Sequence, residues 1–164
     1  MQYIRTTLSI VITLFILSSA VYAQGGQRQM MQPPEPANPD SVSETELKKF
    51  ARVTDSAQSI QKEVQSQVQT IVEDEGMEFS RFQEIMMNKQ NPQAAGSLNT
   101  SQSEEKTIKQ IQPQLMKINR QAQQQFVQLI RDEGLTPQRF QQIMRGVQTN
   151  KELQQRLQSV QSDS

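Results

Sequence analysis

The chain has 164 residues with no cysteine, histidine or tryptophan, and its 17 lysines and arginines are matched by 17 aspartates and glutamates. That inventory excludes disulfides, the usual nucleophilic triads, thiol redox chemistry and an ordinary zinc site.

Met1 to Arg5 form a short positive start, Thr7 to Leu17 an apolar run, and Val21-Tyr22-Ala23 a small-residue cleavage site. Residues 1–23 therefore read as an export signal peptide cut before Gln24. The apolar run falls short of the roughly 20 residues that cross a bilayer, so no membrane span is expected after cleavage. The mature chain is placed in the periplasm or outside the cell. No cysteine follows the cut, which excludes a lipoprotein anchor, and Tyr3 and Tyr22 leave with the signal. Residues 24–42 hold Pro33, Pro34, Pro36, Pro39 and two glycines, and they read as a disordered or polyproline-like linker without an element of its own.

A helical domain is expected over residues 43–161. Ser43 and Glu46 make a capping box, and apolar residues recur at Phe50, Val53, Ala57, Ile60, Val64, Val68 and Ile71, which is one face of a helix. It runs to about Glu75, where Gly76 supplies a left-handed C-terminal cap. A shift of 58 residues places Ile108, Ile111, Leu115, Ile118, Ala122, Phe126 and Leu129 on those seven positions, and Gly134 on Gly76. Around the glycine the residues themselves recur: Asp74-Glu75-Gly76, Arg81-Phe82-Gln83, Ile85 and Met86 return as Asp132-Glu133-Gly134, Arg139-Phe140-Gln141, Ile143 and Met144.

Each repeat, about 43–91 and 101–149, predicts a long helix, a glycine turn and a shorter arm. The arm packs back through Phe82, Ile85 and Met86, or Phe140, Ile143 and Met144. Thr136 and Pro137 start the second arm as cap and first helical residue. Asn91, Pro92, Gly96 and Asn99 mark the connection between repeats. Asn150 caps a terminal helix over 150–161 that carries Leu153, Leu157 and Val160 on one side. Pro113 inside the third helix calls for a kink or a start near Gln112. The fold class is all-α: two tandem αα-hairpins plus a C-terminal helix, as a four-helix-bundle-like fold in one chain or as extended hairpins completed by dimerisation. With 29 glutamines from Gln24 onward, the core is thin, which favours self-association as a homodimer.

Enzyme readings fall back on carboxylates. Glu73, Asp74 and Glu75 form the densest acidic cluster, but so small a core hardly supplies a substrate cleft. The simpler expectation is that Asp74 meets Arg81, and Asp132 meets Arg139, across the glycine turns. Met30-Met31 and Met86-Met87 raise copper(I) binding through thioethers. Met86 and Met144 read better as core, and Met30 and Met31 lack partner ligands, so no cofactor or metal is assigned. Residues 43–91 hold six bases and nine acids, and residues 104–161 nine bases and five acids, so the halves attract each other or the basic half engages an acidic partner. Scattered basic residues without an aromatic platform argue against nucleic acid.

The run Gly134-Leu135, Phe140, Ile143, Asn150, Leu153 and Arg156, with Leu47, Phe50 and Ala51 opening the first helix, resembles the exported bacterial family called domain of unknown function 4168. The resemblance covers roughly residues 43–160 and implies export and helices, with no catalytic residue. The family pattern has Tyr-Asn where this chain has Phe140-Gln141, and Asp-Pro where it has Asn150-Lys151. Leu135-Thr136-Pro137-Gln138-Arg139 is also similar to the start of the Leu-Thr-x-x-Gln motif of periplasmic chaperones of the Spy and CpxP type, with Arg139 in place of the glutamine.

The functional expectation is a non-enzymatic helical interaction or structural protein of the cell envelope that binds protein partners or itself. The alternative is a holdase-type chaperone for unfolded clients. Gly76, Phe82, Ile85, Gly134, Leu135, Phe140 and Ile143 are the candidate residues, as turn and hairpin-packing positions.

Overall fold

The computed structural model describes residues 34–90 and 99–162, which belong, Pro34 apart, to one compact unit, Glu35–Ser164. The proposed signal, the start of the linker and most of the connection between the repeats lie outside the described residues. Five α-helices and no strand make up what is described: α1 Glu44–Asp74, α2 Phe79–Gln90, α3 Gln102–Asp132, α4 Pro137–Thr149 and α5 Lys151–Ser162. Among these residues no helix is long and apolar enough to cross a membrane.

Both long helices start on the same device. The Ser43 hydroxyl accepts from the Glu46 N–H at 3.2 Å while the Glu46 carboxylate takes the Ser43 N–H at 3.0 Å, and Ser101 with Glu104 does the same at 3.2 and 2.6 Å. Each pair satisfies two donors that a helix start leaves unpaired. Both also stop alike. Gly76 at φ 77° and Gly134 at φ 72° adopt a conformation that a side chain disfavours. The N–H groups of Gly76 and Met77 then close onto the carbonyls of Glu73 and Val72, and those of Gly134 and Leu135 onto Arg131 and Ile130. Those are paired Schellman closures, each with its apolar contact, Val72 with Met77 and Ile130 with Leu135.

With 31 residues each, α1 and α3 extend about 46 Å. They run antiparallel: Leu47, Phe50 and Val53 near the start of α1 share a core with Ile130 near the end of α3, whereas Val72 near the end of α1 meets Ile108 and Ile111 near the start of α3. The packing is therefore closed between the two repeats of one chain. Each short arm wedges between the end of its own long helix and the start of the other repeat's. Phe140 of α4 stacks on Phe50 of α1, with ring centroids 4.9 Å apart, and meets Phe126 of α3 edge-on at 5.4 Å. Between the two cores the long helices bury Ala57, Ile118 and Ala122, and leave Ile60 and Val64 half-buried.

Pro113 lies inside α3, which starts at Gln102 and not near Gln112. Pro113 and Lys109 are both exposed, so water can take the carbonyl that a proline ring cannot serve.

The linker expectation requires correction over residues 35–42. Ala37 and Val42 are buried, and Pro39–Ser41 forms a single 3₁₀ turn capped by Asn38. The Ala37 N–H donates to the Gln142 carbonyl at 2.9 Å, and the Arg156 guanidinium donates to the carbonyls of Pro39 and Val42 at 3.0 and 2.7 Å. A segment with little to bury is held by its backbone carbonyls, a source of order that hydropathy does not register.

Candidate functional site

Two arginines, one in each short arm, cross between the repeats. Arg81 of α2 donates through Nε to Glu104 at 2.6 Å and through a terminal nitrogen to the Asn99 carbonyl at 2.9 Å. Arg139 of α4 donates through Nε to Glu46 at 2.7 Å and through a terminal nitrogen to the Ser41 carbonyl. These partners are 58-residue equivalents, Glu46 of Glu104 and Ser41 of Asn99; Arg81 alone adds a third, Glu84 of its own arm, at 2.8 Å. This corrects the expected pairing of Asp74 with Arg81 and of Asp132 with Arg139. The bases reach past their own turn to the capping carboxylate of the opposite long helix, which already accepts two backbone or hydroxyl donors and is therefore fixed in place.

The clamp hydrogen bonds hold both carboxylates low. Arginine donation, followed by the serine N–H, brings Glu104 from its ordinary 4.5 to about 2. Glu46 is likewise brought to about 2, by Arg139 first, with burial opposing and the Ser43 donors assisting. A carboxylate lowered in the folded state stabilises fully above its unfolded pKa and loses that contribution as the pH falls to its folded value. The thermal midpoint is thus expected to hold down to about pH 5 and then fall between 4.5 and about 2. The double variant E46Q/E104Q should have a lower midpoint at neutral pH and a shallower acid slope. An acid slope equal to that of the parent in circular-dichroism melts would remove the clamps as its cause.

The candidate residues are distributed between the two ends. Phe82 and Ile85 lie in the core at the α1–α2 end, with Gly76 at its turn; Leu135, Phe140 and Ile143 lie in the core at the other end, with Gly134 at that turn. They do not converge on one cavity. The acids at the end of α1 are exposed, and an open depression of about 470 Å³ beside them is lined by Glu73, Gly76, Met77, Glu78, Phe79 and Ser80. Among the described residues no group of three or more acids stands close enough to hold a metal ion.

The ends differ in how they are covered. At the α3–α4 end, α5 lies across α4 and the first half of α1, and buries Leu153, Leu157 and Val160. Asn150 caps it, accepting from the N–H groups of Glu152 and Leu153 at 2.9 and 3.3 Å. At the α1–α2 end, among the described residues, no such helix follows α2. A groove of about 420 Å³ opens between α2 and α3, lined by Met86, Lys89, Glu105, Ile108, Lys109, Gln112 and Leu115. Met116, 58% exposed, continues the α3 wall of the groove one turn beyond Gln112.

A family model described as a domain of unknown function, DUF4168, matches residues 20–97 and again residues 87–157. The chain belongs to that family. Each DUF4168 match takes in one long helix and its short arm, and the second runs on through the first half of α5, so the duplication seen in the residues is a duplication of the family's domain. No curated protein and no solved structure matches the chain.

In this DUF4168 chain neither the clamps nor the groove is legible from local spacing, and Arg156, part of the family pattern, shows its grip on residues 39–42 only in the fold. The clamps do leave a trace in the repeat: Ser43, Glu46 and Arg81 return as Ser101, Glu104 and Arg139. The groove left none, because its walls come from residues that only the antiparallel pairing of the long helices brings together.

Proposed function

We propose that this protein is a non-enzymatic, exported interaction protein of the bacterial cell envelope, and that its working surface is the groove between α2 and α3. One observation carries the reading: a groove floored by the half-buried Met86 and Leu115 over the buried Ile108 runs between the charged side chains of Lys89, Glu105 and Lys109. A groove of this kind, apolar at its floor and bordered by charged side chains, suits a protein partner better than a small reacting molecule. Residues 1–23 support export by their composition.

A second reading, a holdase for unfolded clients, draws on Met87 and Met116. They are exposed by 70% and 58%, and methionine adapts to varied apolar surfaces.

Both readings are tested by a photo-crosslinking side chain placed at Lys109 in the groove, or at Lys62 on α1 as a control, in the tagged chain expressed in its native envelope. One dominant adduct from position 109 and none from 62 is the expected result. Many unrelated unfolded envelope proteins from position 109 would make this a chaperone. Adducts from position 62 alone would remove the groove as the working surface.

A further inference from the structure

The 58-residue repeat gives the groove a filled counterpart in the same molecule. Across it, Glu105, Ile108 and Lys109 on α3 correspond to Leu47, Phe50 and Ala51 on α1, while Asn88 and Lys89 on α2 correspond to Gly146 and Val147 on α4. All five counterparts are buried at the end where α5 packs, and the Leu153 side chain comes so close to Gly146 that a Cβ there would lie 2.8 Å from it. The groove is therefore the equivalent of the α5 seat, and no helix of the described residues fills it. One residue, Asn150, separates α4 from α5, whereas the eleven residues 91–101 between α2 and α3 must carry the chain on into the second long helix.

The substitutions in this seat say what it takes. A fixed helix such as α5 meets leucine, alanine, glycine and valine; the open seat keeps an apolar floor, Ile108 with Met86 and Leu115, and turns the contacts around it into Glu105, Lys109 and Lys89. None of these three forms an ion pair among the described residues. Two unspent ammonium groups against one carboxylate favour an acidic occupant, and charged walls favour one that comes and goes over one buried for good.

Building on the interaction role proposed for this groove, we infer that it binds an amphipathic helix of a partner protein in the manner of α5. The partner's apolar residues are spaced as Leu153, Leu157 and Val160, and acidic residues flank them to face Lys89 and Lys109. The apolar stripe supplies contact with Met86, Ile108, Leu115 and Met116, and the flanks supply orientation and selectivity.

The probe is a labelled peptide spanning residues 150–162, stapled between positions 151 and 155 on the side away from the stripe, because an isolated helix of this length is marginal in water. One version carries Q154E, R156E and Q161E, and a second carries lysine at those three positions. Fluorescence anisotropy against the mature full chain is expected to show the acidic peptide binding about tenfold tighter than the basic one at low salt, a preference that salt erodes. The variant K89E/K109E, altered only at exposed positions, should reverse that preference and leave the thermal melt unchanged. Met116→Asp should weaken both peptides.

Several outcomes overturn the inference: no binding of either peptide, binding indifferent to K89E/K109E, binding that responds instead to substitution of Leu153 and so reports exchange with α5, or self-association of the chain abolished by K109E. A dominant adduct from position 109 in the envelope together with silent peptides would sink the acidic-helix occupant and leave the interaction role standing. Silence in both experiments would remove the two together.

Discussion

Replacing Phe140 by alanine is expected to remove about 3–5 kcal/mol of stability, a large share of the roughly 5–15 kcal/mol that holds a domain folded. The size follows from where the ring sits. Phe140 joins three helices: α4 carries it, Phe50 of α1 stacks against it at 4.9 Å and 29°, and Phe126 of α3 meets its edge at 5.4 Å and 85°. Truncation opens a cavity that none of the three helices can fill without losing another contact, and it forfeits two ring pairings worth about 0.5–1.5 kcal/mol each within that total. Phe82 is also buried, but its ring partner is Phe79 of the same helix at 6.4 Å, so Phe82→Ala should fall at the lower end of the range. Urea unfolding of the chain from Gln24 onward measures both. A loss below about 1 kcal/mol at Phe140 would mean that the junction of α1, α3 and α4 does not hold the fold together.

Gly146→Ala is expected to destabilise although it places a better helix former inside α4. A Cβ at this position would stand 2.8 Å from the Ala37 carbonyl oxygen and 2.8 Å from Leu153 Cδ1, and the first of these is backbone, tethered by the Ala37 N–H to Gln142. Overpacking of this kind costs about 1–3 kcal/mol, against about 1 kcal/mol gained in helix propensity. The strain has two outlets, residues 35–42 and α5, so amide exchange should quicken in both and stay unchanged in α2. A variant that melts higher than the parent, or that exchanges faster in α2, would show that the close approach of α5 to α4 is not what the glycine serves.

Local chemistry accounts for what the residues disclosed in advance. The capping serine and glutamate, the left-handed glycines, the Thr136 and Asn150 caps and the apolar stripes all act within a few residues of themselves, so each can be read from spacing alone. The assignment of Asp74 to Arg81 failed for the same reason: a separation of seven residues looks like a contact when only neighbours are considered, whereas the arginine reaches a carboxylate 23 residues away, and Arg139 reaches one 93 away. Residues 35–42 escaped because their order comes from carbonyls gripped by Arg156 and Arg139, which no hydropathy pattern encodes. The groove needed both the antiparallel pairing and the knowledge that α5 covers only one end; from sequence alone Lys89 and Lys109 are two unremarkable surface lysines.

The crossed arginines also bear on dilution. A single repeat carries an arginine whose carboxylate lies on the other repeat, and a capping glutamate whose arginine lies there too, so one repeat alone could complete these contacts only by meeting a second molecule. Holding both on one polypeptide turns that encounter into an intramolecular event at an effective concentration of order millimolar. Joined repeats keep their fold however few copies are present.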